Sequence, residues 1–401
     1  MNRLVRFLVS HSASAFVTGV HMVMLAWIGM QVLHLSPVQW GLIQGAALAP
    51  NLLLMLVAGA WADRFDPAKL LVAAQLLLTL CFSALFLVLQ AENGSFGILL
   101  IYAMCVGVGQ AFIQPVREKL NAEIHTASIQ QRISLLNMTQ FAMQALGIGL
   151  AALMDLLSIS LVLGIQACVS LFSALAFASL VTKQRFVEQD TTSTLKSIRK
   201  ALVAVKQSRG LSQLMALIAF NGYMHMGVFL VMIPLVATRT YELNASEYAA
   251  LQVLFVTGMV IANVFLLRQQ TVEYPGQGAL FSLLYTALVG FGLAKGPTPT
   301  GFYFLVFLWG LVAGNSAGRG RLVLQSLVTE EMRGRLMSVY QLVLFSAAPV
   351  GALVTGYVLD YLNHQQIFYF MSFSSIALFA VFMLTRTLWS VRQMEPPEEE
   401  M

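Results

Sequence analysis

All but two of the 23 Lys and Arg residues in this 401-residue chain fall in alternate gaps between about twelve apolar stretches. The exceptions are Arg239 and Lys295. Positive charge that fills every second connection and skips those between is the orientation signature of helices threading a bilayer back and forth. A hydrocarbon core of ~30 Å needs ~20 apolar residues per crossing, and stretches of that length recur. Within hydrocarbon each segment must satisfy its own backbone hydrogen bonds, so an all-α membrane fold is expected.

Composition agrees. Hydrophobic residues make up 58% and charged residues 10%, and the mean hydropathy is +0.77. A chain of this length divided into helix-plus-loop units of ~30 residues leaves no room for a separate soluble catalytic domain. The net charge is +5, but its basic residues are spread over short loops and form no nucleic-acid patch. Cys81, Cys105 and Cys168 each lie in an apolar run. They suggest small core residues, with neither a disulfide framework nor metal-ligand spacing. The opening residues, with Arg3 and Arg6 before a continuing apolar run, read as a retained first helix.

The pattern predicts helices near 7–30, 39–60, 70–90, 96–116, 133–154 and 160–181, then 211–236, 247–267, 277–294, 301–317, 336–359 and 367–385. Expected domains are a six-helix bundle over 1–181, a linker over 182–210, a second bundle over 211–385 and a tail over 386–401. Both termini and the basic linker are expected on the cytoplasmic side. In the linker, Leu195, Ile198, Leu202 and Val205 share one helical face, which suits a helix lying on the inner leaflet. The acidic, Pro-containing tail from Glu395 to Glu400 is expected to lack structure.

The halves echo one another. Arg117 and Leu120, then Arg132, then Gly147 and Gly149, recur as Arg319 and Leu322, Arg333 to Arg335, and Pro349 and Gly351. Gln44 is matched by Gln252, and Asp155 by Asp360. A duplicated six-helix unit is the pattern of alternating-access carriers, whose site lies between repeats near the midplane.

One loop is more specific. The segment Gly59-Ala60-Trp61-Ala62-Asp63-Arg64-Phe65-Asp66-Pro67-Ala68-Lys69 resembles the loop motif of the major facilitator superfamily. Gly59, Asp63, Arg64 and Lys69 match it, while Asp66 and Pro67 stand where the motif has Gly and a basic residue. Gln114 to Arg117 and Arg333 to Ser338 add to a resemblance to the branch holding macrolide-efflux proteins and the enterobactin exporter. It implies twelve helices in two pseudo-symmetric bundles that rock between inward- and outward-open states, in a bacterial inner membrane, as a monomer. It also implies a conformational latch, assigned here to Gly59, Asp63, Arg64, Lys69, Arg117, Arg333 and Arg335.

Ionisable groups inside a membrane are functional candidates by default. Deep carboxylates are missing from the predicted helices: Asp155 and Asp360 fall near one surface, and Glu118, Glu123, Glu330 and Glu331 near the other. Histidine is the remaining titratable group with a pKa of ~6.5. His11, Ser14, Thr18 and His21 form a stripe on the first helix, and Asn221 and His225 a one-turn pair on the seventh. Either histidine can exchange a proton, bond substrate or simply join helices. Asn137, Gln140 and Gln144 share a face of the fifth helix. With Gln44, Gln110, Gln252 and Tyr340 they give a candidate cavity of neutral polar groups, suited to an uncharged or amphipathic organic molecule.

The expectation is secondary active export of a drug-like or secreted small molecule, driven by an ion gradient, protons first. Substrate, coupling ion and membrane lipid are the expected partners, with no cofactor and no metal. No phosphate-binding loop is present in the sequence, which argues against intrinsic ATP drive. Uptake on the same fold, and a multispanning lipid-modifying enzyme, are the competing readings.

Overall fold

Short polar caps set where the helices begin. Ser36 and Gln39 form a reciprocal capping box, with Pro37 at the first helical position. Asn363 and Gln366 repeat it, and Asn244 with Glu247 makes the same exchange at 2.9 Å in both directions. Ser95, Ser208 and Thr298 each accept one backbone N–H at a helix start. Every such side chain answers a donor that the first helical turn leaves open.

The computed structural model describes residues 3–124, 129–182, 200–269 and 272–392. The side chains of a few helical positions, Asp63 and Arg132 among them, lie outside that description. The first half holds α1 (Arg3–Trp27), a π-helical turn (Ile28–Val32), α2 (Pro37–Arg64), α3 (Pro67–Gln90), α4 (Phe96–Ala122), α5 (Ile129–Ala151), short α6 (Met154–Leu157) and α7 (Ile159–Ala178). The second holds α8 (Arg209–Asn221), a π-helical stretch (Gly222–Val228), α9 (Phe229–Arg239), α10 (Ala245–Arg268), α11 (Pro275–Ala294), α12 (Pro299–Leu327), α13 (Glu330–Val358) and α14 (His364–Thr385). Ten of the described spans are long and apolar enough to cross a membrane, counting each helix with the π segment that continues it. The 28-residue α2 and 23-residue α5 are compatible with a total of twelve. All described regular structure is helical.

Contacts divide the chain into two units. One comprises 1–191, 230–253 and 352–357, the other 192–229, 254–351 and 358–401. In the first, α1 packs on α5, α2 on α4 and α3 on α7. Glycines set the closest approaches: a Cβ on Gly19 would stand 2.1 Å from the Gln144 carbonyl oxygen, and one on Gly147 2.1 Å from that of Phe16. In the second unit Gly222 and Gly351 face the Leu344 and Tyr223 carbonyls in the same manner, at 2.2 and 2.5 Å. The internal repeat therefore extends to helix packing, because only glycine admits backbones this close.

The first unit's core gathers Phe7, Leu71, Val116, Leu120 and Phe177. The second gathers Leu214, Leu280, Val323, Leu336 and Tyr340. Residues 200–207 are helical, with Ala201 buried in that second core and Val205 packed against it. Leu202, expected on the apolar face with Val205, is 45% exposed. Leu195 and Ile198 lie outside the described residues, as does the acidic tail. Leu388 and Val391 are buried beyond the last helix.

Asp66, where the loop departs from the motif it resembles, has a structural role. Its Oδ1 accepts from Ala68 N at 2.9 Å, capping α3, and its Oδ2 accepts from Thr182 N at 2.7 Å. The α2–α3 loop is thereby tied to the chain leaving α7. Asp66→Ala is expected to cost about 2 kcal/mol through the lost cap and the stranded Thr182 N–H. Thermal unfolding of the purified protein checks this, and Asp66→Asn, with one acceptor oxygen in place of two, should recover only part of the loss.

Candidate functional site

The first unit contains a cavity of about 200 Å³. Its wall takes Thr18, His21 and Met22 from α1, Gln44 and Asn51 from α2, Gly107 and Gln110 from α4, Pro234 from α9, and Tyr248 and Gln252 from α10. Helical spacing explains the set: 44 and 51 are two turns apart, 107 and 110 one turn, and 248 and 252 one turn. A Cβ on Gly107 would meet the Ala47 carbonyl at 2.3 Å, so this glycine lets α4 close on α2 and shapes the wall.

Gln252 is buried and donates through Nε2 to the Tyr248 hydroxyl at 2.8 Å. Its Oε1 is buried without a hydrogen-bond partner among the described residues. Buried acceptors are nearly always satisfied in native proteins, so an unsatisfied one at a cavity wall calls for a donor from a guest molecule or water. The His21 ring approaches the Tyr102 hydroxyl through Nδ1 at 3.2 Å and lies against Phe82. Thr18 is turned to its own helix, donating to the Ser14 carbonyl at 3.0 Å.

Five expected cavity residues, Thr18, His21, Gln44, Gln110 and Gln252, thus share this wall. The others lie elsewhere. Gln140 accepts from Arg117 Nη1 at 2.8 Å, and Gln144 donates to the Met22 sulfur at 2.8 Å. Asn137 is exposed. Asn221 donates to Ser316 Oγ at 2.7 Å, and Tyr340 is buried in the second unit's core. Met22, Asn51, Pro234 and Tyr248 were not anticipated. For Asn51 and Tyr248 the signal was available, since each lies a whole number of turns from a glutamine already singled out.

His225 is held by a directed chain of hydrogen bonds. Trp309 Nε1–H, which only donates, points to His225 Nδ1 at 2.6 Å. The imidazole proton therefore sits on Nε2 and faces Thr286 Oγ1 at 3.2 Å, whose hydroxyl donates to the Ser282 carbonyl at 2.8 Å. Both ring nitrogens are occupied by α11 and α12. Trp309→Phe strands Nδ1 and is expected to cost about 1–3 kcal/mol in thermal unfolding, with no change in substrate KM.

Five of the expected latch residues belong to the first unit, and Arg333 and Arg335 belong to the second. Asp63 lies in the last turn of α2 with its side chain outside the described residues, and Arg64 is half-buried. A Cβ on Gly59 meets nothing within 4 Å. Lys69, Arg333 and Arg335 are exposed. Arg117 is committed to Gln140.

One end of the first unit is closely knit. Trp40 Nε1 donates to the Leu230 carbonyl at 3.2 Å, and Arg239 to that of Leu35. The Asp155 carboxylate accepts from Ala245 N at 3.1 Å, at the positive end of α10. Cβ atoms on Gly41 and Gly356 would each lie within 2.8 Å of the facing glycine's Cα. Among the described residues no carboxylate lines the cavity, and none of their His, Cys, Asp or Glu form a metal-binding cluster.

Solved structures share this architecture. A bacterial homologue of the human lysosomal transporter Spinster, inward-facing and unoccupied, aligns with a TM-score of 0.67 at 15% identity, covering 98% of each chain. The nucleoside transporter NupG aligns at 0.72 with 13% identity over 96% of this chain and 99% of its own. A proton-dependent oligopeptide transporter aligns at 0.71 with 12% identity over 97% and 98%. At such identities the likeness shows the fold alone. No curated protein matches the chain in sequence. The family model described as Major Facilitator Superfamily matches residues 7–316. The chain belongs to that superfamily and is a multi-pass membrane transporter, not an enzyme.

Proposed function

We propose that the protein is a secondary carrier that exports a small neutral or amphipathic organic molecule by alternating access. The observation carrying this reading is the cavity wall: neutral amides, one imidazole, a phenol and an unsatisfied Gln252 acceptor, with no carboxylate among the described residues. Such a wall recognises hydroxyl or amide groups without the desolvation cost of an ionic pair. Its volume is below the ~300–1,000 Å³ of drug-sized sites. It is therefore read as the closed remnant of a chamber that widens as the carrier moves.

The knit end, built from Trp40, Gly41, Asp155, Arg239, Ala245 and Gly356, is the proposed outer gate. The end bearing the α2–α3 loop and most basic residues is proposed to face the cytoplasm, in a bacterial inner membrane. The two pseudo-symmetric bundles, 1–181 and 211–385, are proposed to rock about this site. Gly59, Asp63, Arg64, Lys69, Arg333 and Arg335 are proposed as the inner latch. Export follows the resemblance to the macrolide-efflux and enterobactin-exporter branch, and protons are the proposed coupling ion. His21, the imidazole on the wall, is the proposed proton-exchanging group, whereas His225 is proposed to hold helices together.

The test is transport itself. In everted vesicles carrying an inward-acid pH gradient, screened compounds should include one whose accumulation collapses when the gradient is dissipated. Counterflow in proteoliposomes without accumulation in everted vesicles would assign uptake instead. Absence of counterflow for every compound that binds would defeat the carrier reading.

A further inference from the structure

The second unit bears a groove of about 670 Å³ between α10, α11 and α12. Its walls are apolar, and several are strongly exposed: Phe265 by 63%, Tyr285 by 48% and Leu288 by 66%. In a membrane protein such a face meets lipid. One end of the groove is different in kind, being formed by Asn315 and Arg319.

Arg319 is a half-buried cation with neutral partners. Its Nε donates to Asn315 Oδ1 at 2.9 Å, and Nη2 approaches Gln269 Oε1 at 3.5 Å. Asn315 is itself oriented by donating to Ser282 Oγ at 2.9 Å. Among the described residues no carboxylate lies within ion-pair reach of Arg319, and Glu273, just before α11, pairs with Arg392 at 3.0 Å. A Cβ on Gly278 would fall 2.4 Å from the guanidinium, so the arginine lies across α11 where only glycine leaves room. A positive charge held in place at a membrane surface without a counter-charge calls for an anion.

Depth narrows the choice. Arg319 stands 20 residues beyond Pro299, the start of α12 (319 − 299). At ~1.5 Å per residue that is ~30 Å, one hydrocarbon thickness. The guanidinium therefore sits at headgroup level, with its apolar groove running into the leaflet. A soluble anion has no use for that groove, whereas a lipid enters it sideways.

We propose that the α10–α11–α12 groove binds one anionic phospholipid of the leaflet at the Arg319 end. The phosphate sits on the Arg319 fork, and an acyl chain lies along Phe281, Tyr285 and Leu288. The fork presents paired donors that match phosphate oxygens.

Native mass spectrometry of the full-length protein in detergent tests this, with phosphatidylglycerol and phosphatidylcholine of the same acyl chains supplied in equal amounts. Wild type should retain phosphatidylglycerol about fivefold over phosphatidylcholine. Arg319→Gln should erase that preference. Leu288→Trp, which fills the tail channel and keeps the charge, should lower phosphatidylglycerol retention as well, and it carries the test if Arg319→Gln fails to fold. Lys295→Gln should match wild type. Equal retention of both lipids, or unchanged phosphatidylglycerol retention in Arg319→Gln or Leu288→Trp, would overturn the assignment. Displacement of the lipid by excess inorganic phosphate would show a free-anion site and overturn it too.

Discussion

A Gly41→Leu variant is expected to insert normally and to carry substrate at least about 3-fold more slowly than wild type. The added Cβ alone would stand 2.8 Å from both the Ala352 carbonyl oxygen and Gly356 Cα. Both are backbone atoms, so no side-chain rearrangement relieves the clash. Overpacking of this kind costs ~1–3 kcal/mol. That cost falls on the conformation in which α2 and α13 touch and spares the one in which they part. A balanced two-state carrier tipped by ~1.4 kcal/mol changes its population ratio tenfold. Maleimide labelling of a cysteine at Ala245 should accelerate, because the proposed outer gate stands open for longer. Gly97→Leu, at a position with open space around it, should carry substrate normally. Unchanged flux in Gly41→Leu would mean that this contact takes no part in the cycle.

The second large effect is expected at Gln252. Gln252→Leu keeps the approximate volume and removes both the unsatisfied Oε1 and the donor to Tyr248. A substrate hydroxyl or amide that uses the carbonyl loses one hydrogen bond, worth ~0.5–1.5 kcal/mol to a neutral group. KM should rise by up to ~10-fold while expression and fold persist. Tyr248→Phe should give a smaller rise, since it only releases the amide from its tether. A KM unchanged in Gln252→Leu, measured with a compound already shown to be transported, would remove this wall from the substrate path.

Much of the fold is legible in the sequence. Apolar length and the alternation of basic loops place most helix ends to within a few residues, and Pro37, Pro67, Pro275 and Pro299 mark starts that a hydropathy window places slightly late. The α4 and α12 helices run further than expected, to Ala122 and Leu327. Their basic ends read as loop by composition, yet these turns are helical extensions past the hydrocarbon. The π-helical segments at 28–32 and 222–228 left no mark in the sequence pattern. In the second of them Gly222 closely faces the Leu344 carbonyl, a contact that no local pattern announces.

The site was only half legible. Amide side chains on one helical face announce that they need partners, but not which. Gln140 and Gln44 look alike in sequence, yet the first is taken by Arg117 and the second faces the cavity. His21 and His225 occupy equivalent helices. The tryptophan that claims His225 is 84 residues away, beyond the reach of any local pattern. Asp66 looked like a motif defect because its partner, Thr182, lies beyond the end of α7, 116 residues away in sequence. Glycines at 19, 147, 222 and 351 could be suspected of close packing, but the repeat of that packing in both halves needed three dimensions.

Alternating access through a gate at the knit end is the claim on which the functional account rests. With Cys81, Cys105 and Cys168 replaced, cysteines at Asp155 and Ala245 stand where the carboxylate now meets the α10 backbone at 3.1 Å. Oxidation should join them and bring counterflow in proteoliposomes close to zero, and reduction should restore it. A fully crosslinked protein that still moves solute at the reduced protein's rate would contradict the account.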